Sequence, residues 1–428
     1  MSALRTVEEH LAAVLAGVTP LDDFRQPLLD ALDLACAEDV VADVALPRFD
    51  NSSMDGYAVV QADVVTASDE APVRLPVVGE IGAGMGADAV TRLDPGTCAK
   101  IMTGAPLPEG ADAVVPYEWT DRGAPEVWIT RSPATGQHVR YAGEDVDHGD
   151  LLVEAGTRLG PRHVGLLASV GRAGVRVRPR PRVAVLSTGS ELREAGTPLD
   201  DDADRDAIYD GNSWLLAAAV RRAGGIPLRV GLVPDRPDAF LRVLREQRGR
   251  ADAVITSGGI SMGDWDVVKE ALSGGAGDDH DVWFGGVAMQ PGKPQGFGHL
   301  LHGGTEDRPP RRVPFFALPG NPVSSYVSFE LFVRPALRRM MGLAPESHVP
   351  VTARLTHRVT SPPGRRQFLR GALTVATDGS GAQVEPVGGP GSHLLGDLAS
   401  SDALIVVPED ATVLEAGADV TVLRLDQD

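Results

Sequence analysis

Asp252-Ala-Val-Ile-Thr-Ser-Gly-Gly-Ile-Ser-Met-Gly-Asp-Trp-Asp266 reads as a buried strand that runs into a glycine turn and then two carboxylates. The apolar run over 253–256 predicts the strand. Ser257, Gly258, Gly259 and Ser261 follow at its C-terminal end, where open α/β sheets bind ligands. Paired glycines let backbone approach a ligand closely and turn N–H groups toward an anion. Asp264 and Asp266 beside that anion suit a divalent metal between them.

Outward from this stretch the pattern is alternating. Strands are expected over 182–187, 227–232, 253–256, 282–284 and 313–318, and helices over 212–223, 237–247, 266–272 and 323–341. Such alternation predicts a doubly wound parallel sheet with right-handed crossovers. The flanks differ. Residues 47–139 are short Val-rich runs broken by Gly and Pro, with strands expected over 57–60, 74–78, 98–102, 113–116 and 127–130. Residues 346–428 repeat that character over 349–355, 367–375, 383–386, 403–407 and 419–425, which fits a small barrel. Residues 1–46 read as two helices, the first capped by Thr6 with Glu9 as in a capping box, the second presenting Leu28, Leu29, Leu32 and Ala35. With 140–178, which holds a helix near 161–171, they form one domain interrupted by the β module. The domains are therefore 1–46 with 140–178, 47–139, 179–341 and 342–428. The segment 302–312 reads as a mobile polar loop.

Bulk composition narrows the function. At 428 residues the chain needs several cores. A net charge of −19 argues against nucleic acid held on a broad basic surface. Two cysteines, Cys36 and Cys98, leave no disulfide framework, and no apolar run reaches membrane-spanning length. The amino terminus is amphipathic and unlike a signal peptide, so a cytoplasmic enzyme is expected.

Two further loops, over 186–191 and 318–325, are of the same kind, and a lysine turn stands between them in the chain. Ser187-Thr188-Gly189-Ser190-Glu191 ends a clean strand; its plainer reading is a turn whose hydroxyls cap a helix. Pro291-Gly292-Lys293-Pro294 holds an ammonium in a rigid turn, suited to an oxyanion, although a solvated surface turn has the same sequence. Pro319-Gly320-Asn321-Pro322 leads into a helix, an anion site or a simple cap. Within the β module, Asp55-Gly56 and Met102-Thr103-Gly104 read alone as hairpin residues. Gly82-Ala-Gly-Met-Gly-Ala87 is rejected as a dinucleotide fingerprint because no helix follows it. The acidic run 200–207 reads as a solvated loop.

Taken in order, these segments resemble the molybdopterin molybdenumtransferases, the MoeA family, related to the carboxy-terminal region of gephyrin. The carrying motifs are Asn51-Ser-Ser-Met-Asp-Gly-Tyr-Ala58, Ile101-Met-Thr-Gly-Ala-Pro-Leu-Pro-Glu-Gly110, Gly143-Glu-Asp145, Ser187-Thr-Gly-Ser-Glu-Leu192 and Tyr209-Asp-Gly-Asn212. The 257–266 loop, Pro291-Gly-Lys-Pro294, Leu318-Pro-Gly-Asn-Pro-Val-Ser325 and Gly391-Ser-His393 complete them.

The resemblance implies a four-domain homodimer. Its wound-sheet domain would be akin to molybdopterin adenylyltransferases, with an inserted β lid that reaches the partner's site and a C-terminal barrel. It implies a reaction that consumes adenylylated molybdopterin and molybdate and releases AMP and molybdenum cofactor. Molybdopterin adenylyltransferase and molybdoenzymes would be exchange partners. By motif match, Glu191, Asp235 and Asp266 would bind Mg²⁺ and serve catalysis. Asp145 would assist, and Asp55 and Thr103 would close the opposite subunit's cleft. Lys269 and Lys293 would offset anionic charge, and Arg370 and Ser392 would complete an oxyanion pocket.

One residue departs from the family pattern. Gln290 stands where many relatives carry a second lysine before Pro-Gly-Lys-Pro. Two other readings remain: a gephyrin-type scaffold without catalysis, which need not keep three carboxylates, and an adenylyltransferase confined to the α/β domain.

Overall fold

The computed structural model describes residues 4–84, 90–200, 202–260, 266–273, 279–304, 309–375 and 381–425. The chain divides into two compact units, one of Met1–Phe24, Gly156–Arg158 and Arg176–Asp428, the other of Arg25–Ala155 and Leu159–Val175.

The larger unit is built on a six-stranded sheet. Its spatial order is Ile226–Val233, Arg182–Thr188, Ala253–Ser257, Arg311–Leu318, Pro294–His302, His280–Gly286. The first four strands are mutually parallel, and the last two join antiparallel. The wound parallel core is as expected, but the sheet is mixed at one edge. The strand Pro294–His302 escaped the sequence reading.

Six of the seven residues of Arg182–Thr188 are buried, as a strand covered on both faces requires. On one face Ala184, Leu186, Val254 and Phe315 pack with Phe240 and Leu244 of helix Pro237–Arg250 and with Val268 of helix Val267–Ser273. Helix Asn212–Arg222 packs against Arg182–Thr188 and against helix Pro322–Ser328.

The long helix expected over 323–341 is one continuous rod with a π turn, Phe329–Val333, between Pro322–Ser328 and Arg334–Met340. There the Arg334 N–H reaches back to the Phe329 carbonyl, and Pro335, which has no N–H, follows at once.

The carboxy-terminal strands Val351–Leu355, Arg366–Val375, Ala382–Pro386, Ala403–Val407 and Asp419–Arg424 form a closed barrel. Arg366–Val375 pairs with both Ala382–Pro386 and Ala403–Val407 and so completes the ring. Val384, Ile405, Val407 and Val422 fill it. A short strand, Met289–Gln290, adds in parallel to Arg366–Gln367 and ties the barrel to the sheet domain.

Helix Val7–Ala16 carries the expected capping box: Thr6 Oγ1 accepts from Glu9 N–H and the Glu9 carboxylate accepts from Thr6 N–H. The end of the 302–312 segment belongs to the sheet, since Arg311 pairs with His302 and Arg312 with Leu301. Residues 305–308 of that segment lie outside the described residues.

In the smaller unit the five expected strands all form, ordered Ala113–Pro116, Gly56–Val59, Cys98–Ile101, Val73–Ile81, Glu126–Ile129. Alternation buries both faces: Tyr57, Val59, Cys98 and Val115 on one, Ala58, Ala99, Ile101 and Val114 on the other. Helix Pro161–Ser169 is present. The second amino-terminal helix is not. Residues 28–33 are turns, Leu29 is 80% exposed, and Asp33 takes φ 66°, which no continuing helix allows.

Candidate active site

Strand direction brings the chemical loops together. The parallel strands end at Thr188, Val233, Ser257 and Leu318, all at one sheet edge. Pro294–His302 runs the opposite way, with Gly296 opposite Ala317, so its first residue and the Pro291–Pro294 turn start at that same edge. Neighbouring strands lie about 4.8 Å apart. Along the edge the order is therefore Asp235, the Ser187–Glu191 loop, the Ser257–Gly259 turn, Pro319–Asn321, then Lys293. The chain winds first to one side of Arg182–Thr188 and then to the other. The reversal falls between that strand and Ala253–Ser257, the place where wound sheets take ligands.

Glycines stand at this reversal for steric reasons. Gly258 takes φ +93°, and a Cβ there would stand 2.8 Å from the Thr188 carbonyl oxygen. Gly259 takes φ +70°, and its Cβ would press on Val268 at 2.7 Å. Gly258 N–H donates to the Leu318 carbonyl (3.1 Å), and Lys269 N–H donates to the Gly259 carbonyl (3.2 Å). The Gly259 turn is thereby fastened to the first turn of the helix that carries Lys269, whose side chain is exposed. Thr188 Oγ1 is buried beside both glycines without a hydrogen-bond partner among the described residues. Ser190 N–H donates to Asp235 Oδ2 (2.6 Å), and the Glu191 carboxylate folds back over Gly189. No helix follows Glu191. Leu192–Arg193 instead pairs with Ile208–Tyr209, so the capping explanation of Ser187 and Thr188 does not hold.

Two residues of the Tyr209–Asn212 motif, to which no role was assigned from sequence, organise this edge. Asp210, 1% exposed, accepts from Ser187 Oγ (2.9 Å), from Ser213 N–H (3.0 Å) and from Ser213 Oγ (2.5 Å). Asn212 Nδ2 donates to Ser257 Oγ (2.8 Å) and to the Gly320 carbonyl (2.6 Å). Ser257 Oγ also lies 3.1 Å from Ser325 Oγ, whose hydroxyl donates to the Pro319 carbonyl. The visible signal was Asp-Gly-Asn directly before a helix. Asn321 stands at the N-cap of its helix but makes no side-chain capping bond, so its carboxamide is not spent as a cap.

The lysine turn rests on that same helix. Gln295 Nε2 donates to the Gly292 carbonyl (2.7 Å) and to Ser328 Oγ (2.6 Å), while Pro291 and Gly292 are buried and Lys293 is exposed. From the barrel, the buried Arg370 guanidinium donates to the carbonyls of Gly389 and Gly391. It therefore shapes the loop bearing Ser392, whose carbonyl accepts from Val323 N–H (3.1 Å) just after Pro322. Ser261 and Asp264 lie outside the described residues.

Comparison with known proteins decides the family. Residues 5–171 match the MoeA N-terminal region (domain I and II), residues 184–339 a "Probable molybdopterin binding domain", and residues 352–425 the MoeA C-terminal region (domain IV). Molybdopterin molybdenumtransferase 2 of Mycobacterium tuberculosis is 44% identical over 99% of this chain and 100% of its own. The chain belongs to the MoeA family. A molybdopterin molybdenumtransferase of Bacillus subtilis is 35% identical over 93% of this chain and 89% of its own. The solved structure of a molybdopterin biosynthesis MoeA protein from Pyrococcus horikoshii superposes with a TM-score of 0.82 at 31% identity, covering 100% of both chains.

The remaining MoeA motif residues lie in the smaller unit. Asp55 Oδ1 accepts from both N–H and Oγ1 of Thr103, each at 2.7 Å, so the two are one motif and not the tip of a hairpin. Those two bonds hold the Asp55 carboxyl below its usual range. Asp145 is exposed, its N–H bonded to the Leu46 carbonyl (3.1 Å). Gln290, the departure from the MoeA pattern, is half-buried in the short strand against Arg366–Gln367.

Among the described residues no three His, Cys, Asp or Glu side chains converge to hold an ion. Glu191, Asp235 and Asp266 therefore do not form a closed cage. Two carboxylates do border one loop: Asp235 accepts from Ser190 N–H, and Glu191 folds back over Gly189. That donor chemistry fits Mg²⁺, which takes one or two carboxylates with the rest of its shell from phosphates and water.

Proposed function

We propose that this chain is a molybdopterin molybdenumtransferase, inserting molybdate into adenylylated molybdopterin and releasing AMP. The observation that carries the reading is that Asp235, Glu191, the Ser257–Gly259 turn, Asn321 and Lys293 all stand along one sheet edge, at the point where the strand order reverses. The full-length relatives that bear this transferase name support it.

Each group has a task suited to its chemistry. The glycine turns admit phosphate oxygens to backbone N–H groups at the switch point. Lys269 and Lys293, both exposed, offset the charge of molybdate and phosphate. Such fixed charges stabilise the negative charge that develops on the departing AMP. Asp266 and Asp235 hold and orient the reacting phosphates' counter-charges. Mg²⁺ would sit at Glu191 and Asp235, supplying charge neutralisation at the phosphates when bound. The active form is proposed to be a cytoplasmic homodimer in which Asp55, Thr103 and Asp145 complete the partner's site. No helix among the described residues is long and apolar enough to cross a membrane.

The test is AMP release from adenylylated molybdopterin on adding molybdate. Asp266→Ala should reduce release at least about 100-fold, the range expected when a group acting on transition-state charge is removed, with unchanged thermal unfolding. Full activity in that variant would remove Asp266 from the mechanism. Binding of the substrate without AMP release by the unaltered chain would favour the scaffold reading, which no observation here prefers.

A further inference from the structure

We infer that Asn212 is a positioning residue for this reaction, a clasp that fixes the separation of the Ser257–Gly259 turn and the Pro319–Asn321 loop. The inference rests on the transferase reading for its kinetic consequences and on geometry alone for the clasp itself. The Asn212 carboxamide has two N–H donors, and both are used: one on Ser257 Oγ at 2.8 Å, the other on the Gly320 carbonyl at 2.6 Å. A backbone carbonyl only accepts, so the atom facing Gly320 must be the nitrogen, which settles the orientation of the amide. Ser257 passes the constraint on to Ser325 Oγ at 3.1 Å.

The clasp is itself anchored. Asp210 fixes the first turn of the Asn212 helix through Ser213 and binds Ser187. Asn212 therefore starts from a rigid base on the strand Arg182–Thr188 and sets the loops that follow the two next strands. The backbones it joins approach closely: a Cβ on Gly320 would lie 3.6 Å from Gly258 Cα. A shift of one loop by an ångström would move the backbone of the Ser257–Gly259 turn and Asn321 off any phosphate they share, and misplacement on that scale costs about 100-fold in rate. Asn212 is only partly buried, and Ser257 keeps Ser325 and the Pro319 carbonyl as partners. Its loss should therefore reach kcat before it reaches the fold.

The experiment compares the full-length chain with Asn212→Ala, Asn212→Asp, Ser257→Ala and the Asn212→Ala/Ser257→Ala double variant. Expected are a kcat for AMP release about 10- to 100-fold lower in Asn212→Ala, KM changed less, and unfolding temperature within about 3 °C. Asn212→Asp, which sets a carboxylate oxygen against the Gly320 carbonyl, should be lower still. The double variant should be slower than Asn212→Ala by less than the factor Ser257→Ala costs alone, because the two side chains share one of their hydrogen bonds. Amide hydrogen exchange should rise at 319–321 and 258–259 in Asn212→Ala while the barrel stays protected. Wild-type kcat in Asn212→Ala, additive losses in the double variant, or unchanged exchange at those amides would each overturn the clasp. If the unaltered chain releases no AMP, the transferase reading falls, and the exchange experiment still decides the clasp.

Discussion

At Gly258 the backbone runs through φ +93° with the Thr188 carbonyl 2.8 Å from the position of an absent Cβ. A methyl group there meets the backbone at Thr188, which cannot swing aside. Gly258→Ala is expected to cost about 2 kcal/mol or more in urea unfolding, from the left-handed conformation together with the contact. AMP release should fall with it, because relieving the clash moves the turn away from Thr188. A variant with unchanged stability and rate would show that the turn rearranges freely. The contrast with Asp210 is instructive at this scale. Glycine turns announce themselves in sequence because few other reasons exist for Gly-Gly after a strand. The Asp-Gly-Asn stretch marks Asp210 as the start of a helix, but its hold on Ser187 is made across 23 residues of chain, and nothing local reveals that contact.

Helix Val7–Ala16 turns His10 into the larger unit's core, between the rings of Phe332 (4.6 Å) and Trp283 (5.3 Å). Burial first, and the nearby Arg5 second, lower its pKa from near 6.5 to about 4. The folded chain therefore keeps His10 neutral where the unfolded chain protonates. Its contribution is fully present above pH 6.5 and is lost as pH falls from there toward 4, up to about 3 kcal/mol. Urea midpoints for the native chain and for His10→Phe should separate between pH 7 and pH 4.5, with the variant losing less. Parallel curves would place the acid sensitivity elsewhere. Elements with such plain patterning, the capped helix and the Val-rich strands of both β regions, were legible from sequence. The strand Pro294–His302 was not, because it contains Gly296 and Gly298 where β-formers are usual. A Cβ on Gly298 would stand 1.9 Å from the Asp281 carbonyl oxygen, so close strand approach overrode propensity. The apolar spacing of Leu28, Leu29 and Leu32 misled in the opposite sense, since Pro27 and Asp33 confine that segment to turns.

Across the larger unit, barrel and sheet meet through Ser392 and Val323, and Arg370 stiffens the barrel's side of that contact. Arg370→Met would strip the Gly389 and Gly391 carbonyls of their donor and leave Asp397, 3.7 Å away, without its cation. We expect about 3 kcal/mol lower stability and a raised KM for AMP release, since the Ser392 loop loses its template. Equal KM values would confine Arg370 to the barrel. The π turn in the long helix has its consequence at this same scale. One surplus residue advances the azimuth of everything beyond it by about 100° relative to an uninterrupted rod. The leading half can then aim Ser325 at the ligand-facing loops, while Arg339 and Met340, on the trailing half, accept or donate to Leu15 and Leu21 of the amino-terminal segment. A single extra amino acid thus lets one cylinder serve two customers that lie in different directions.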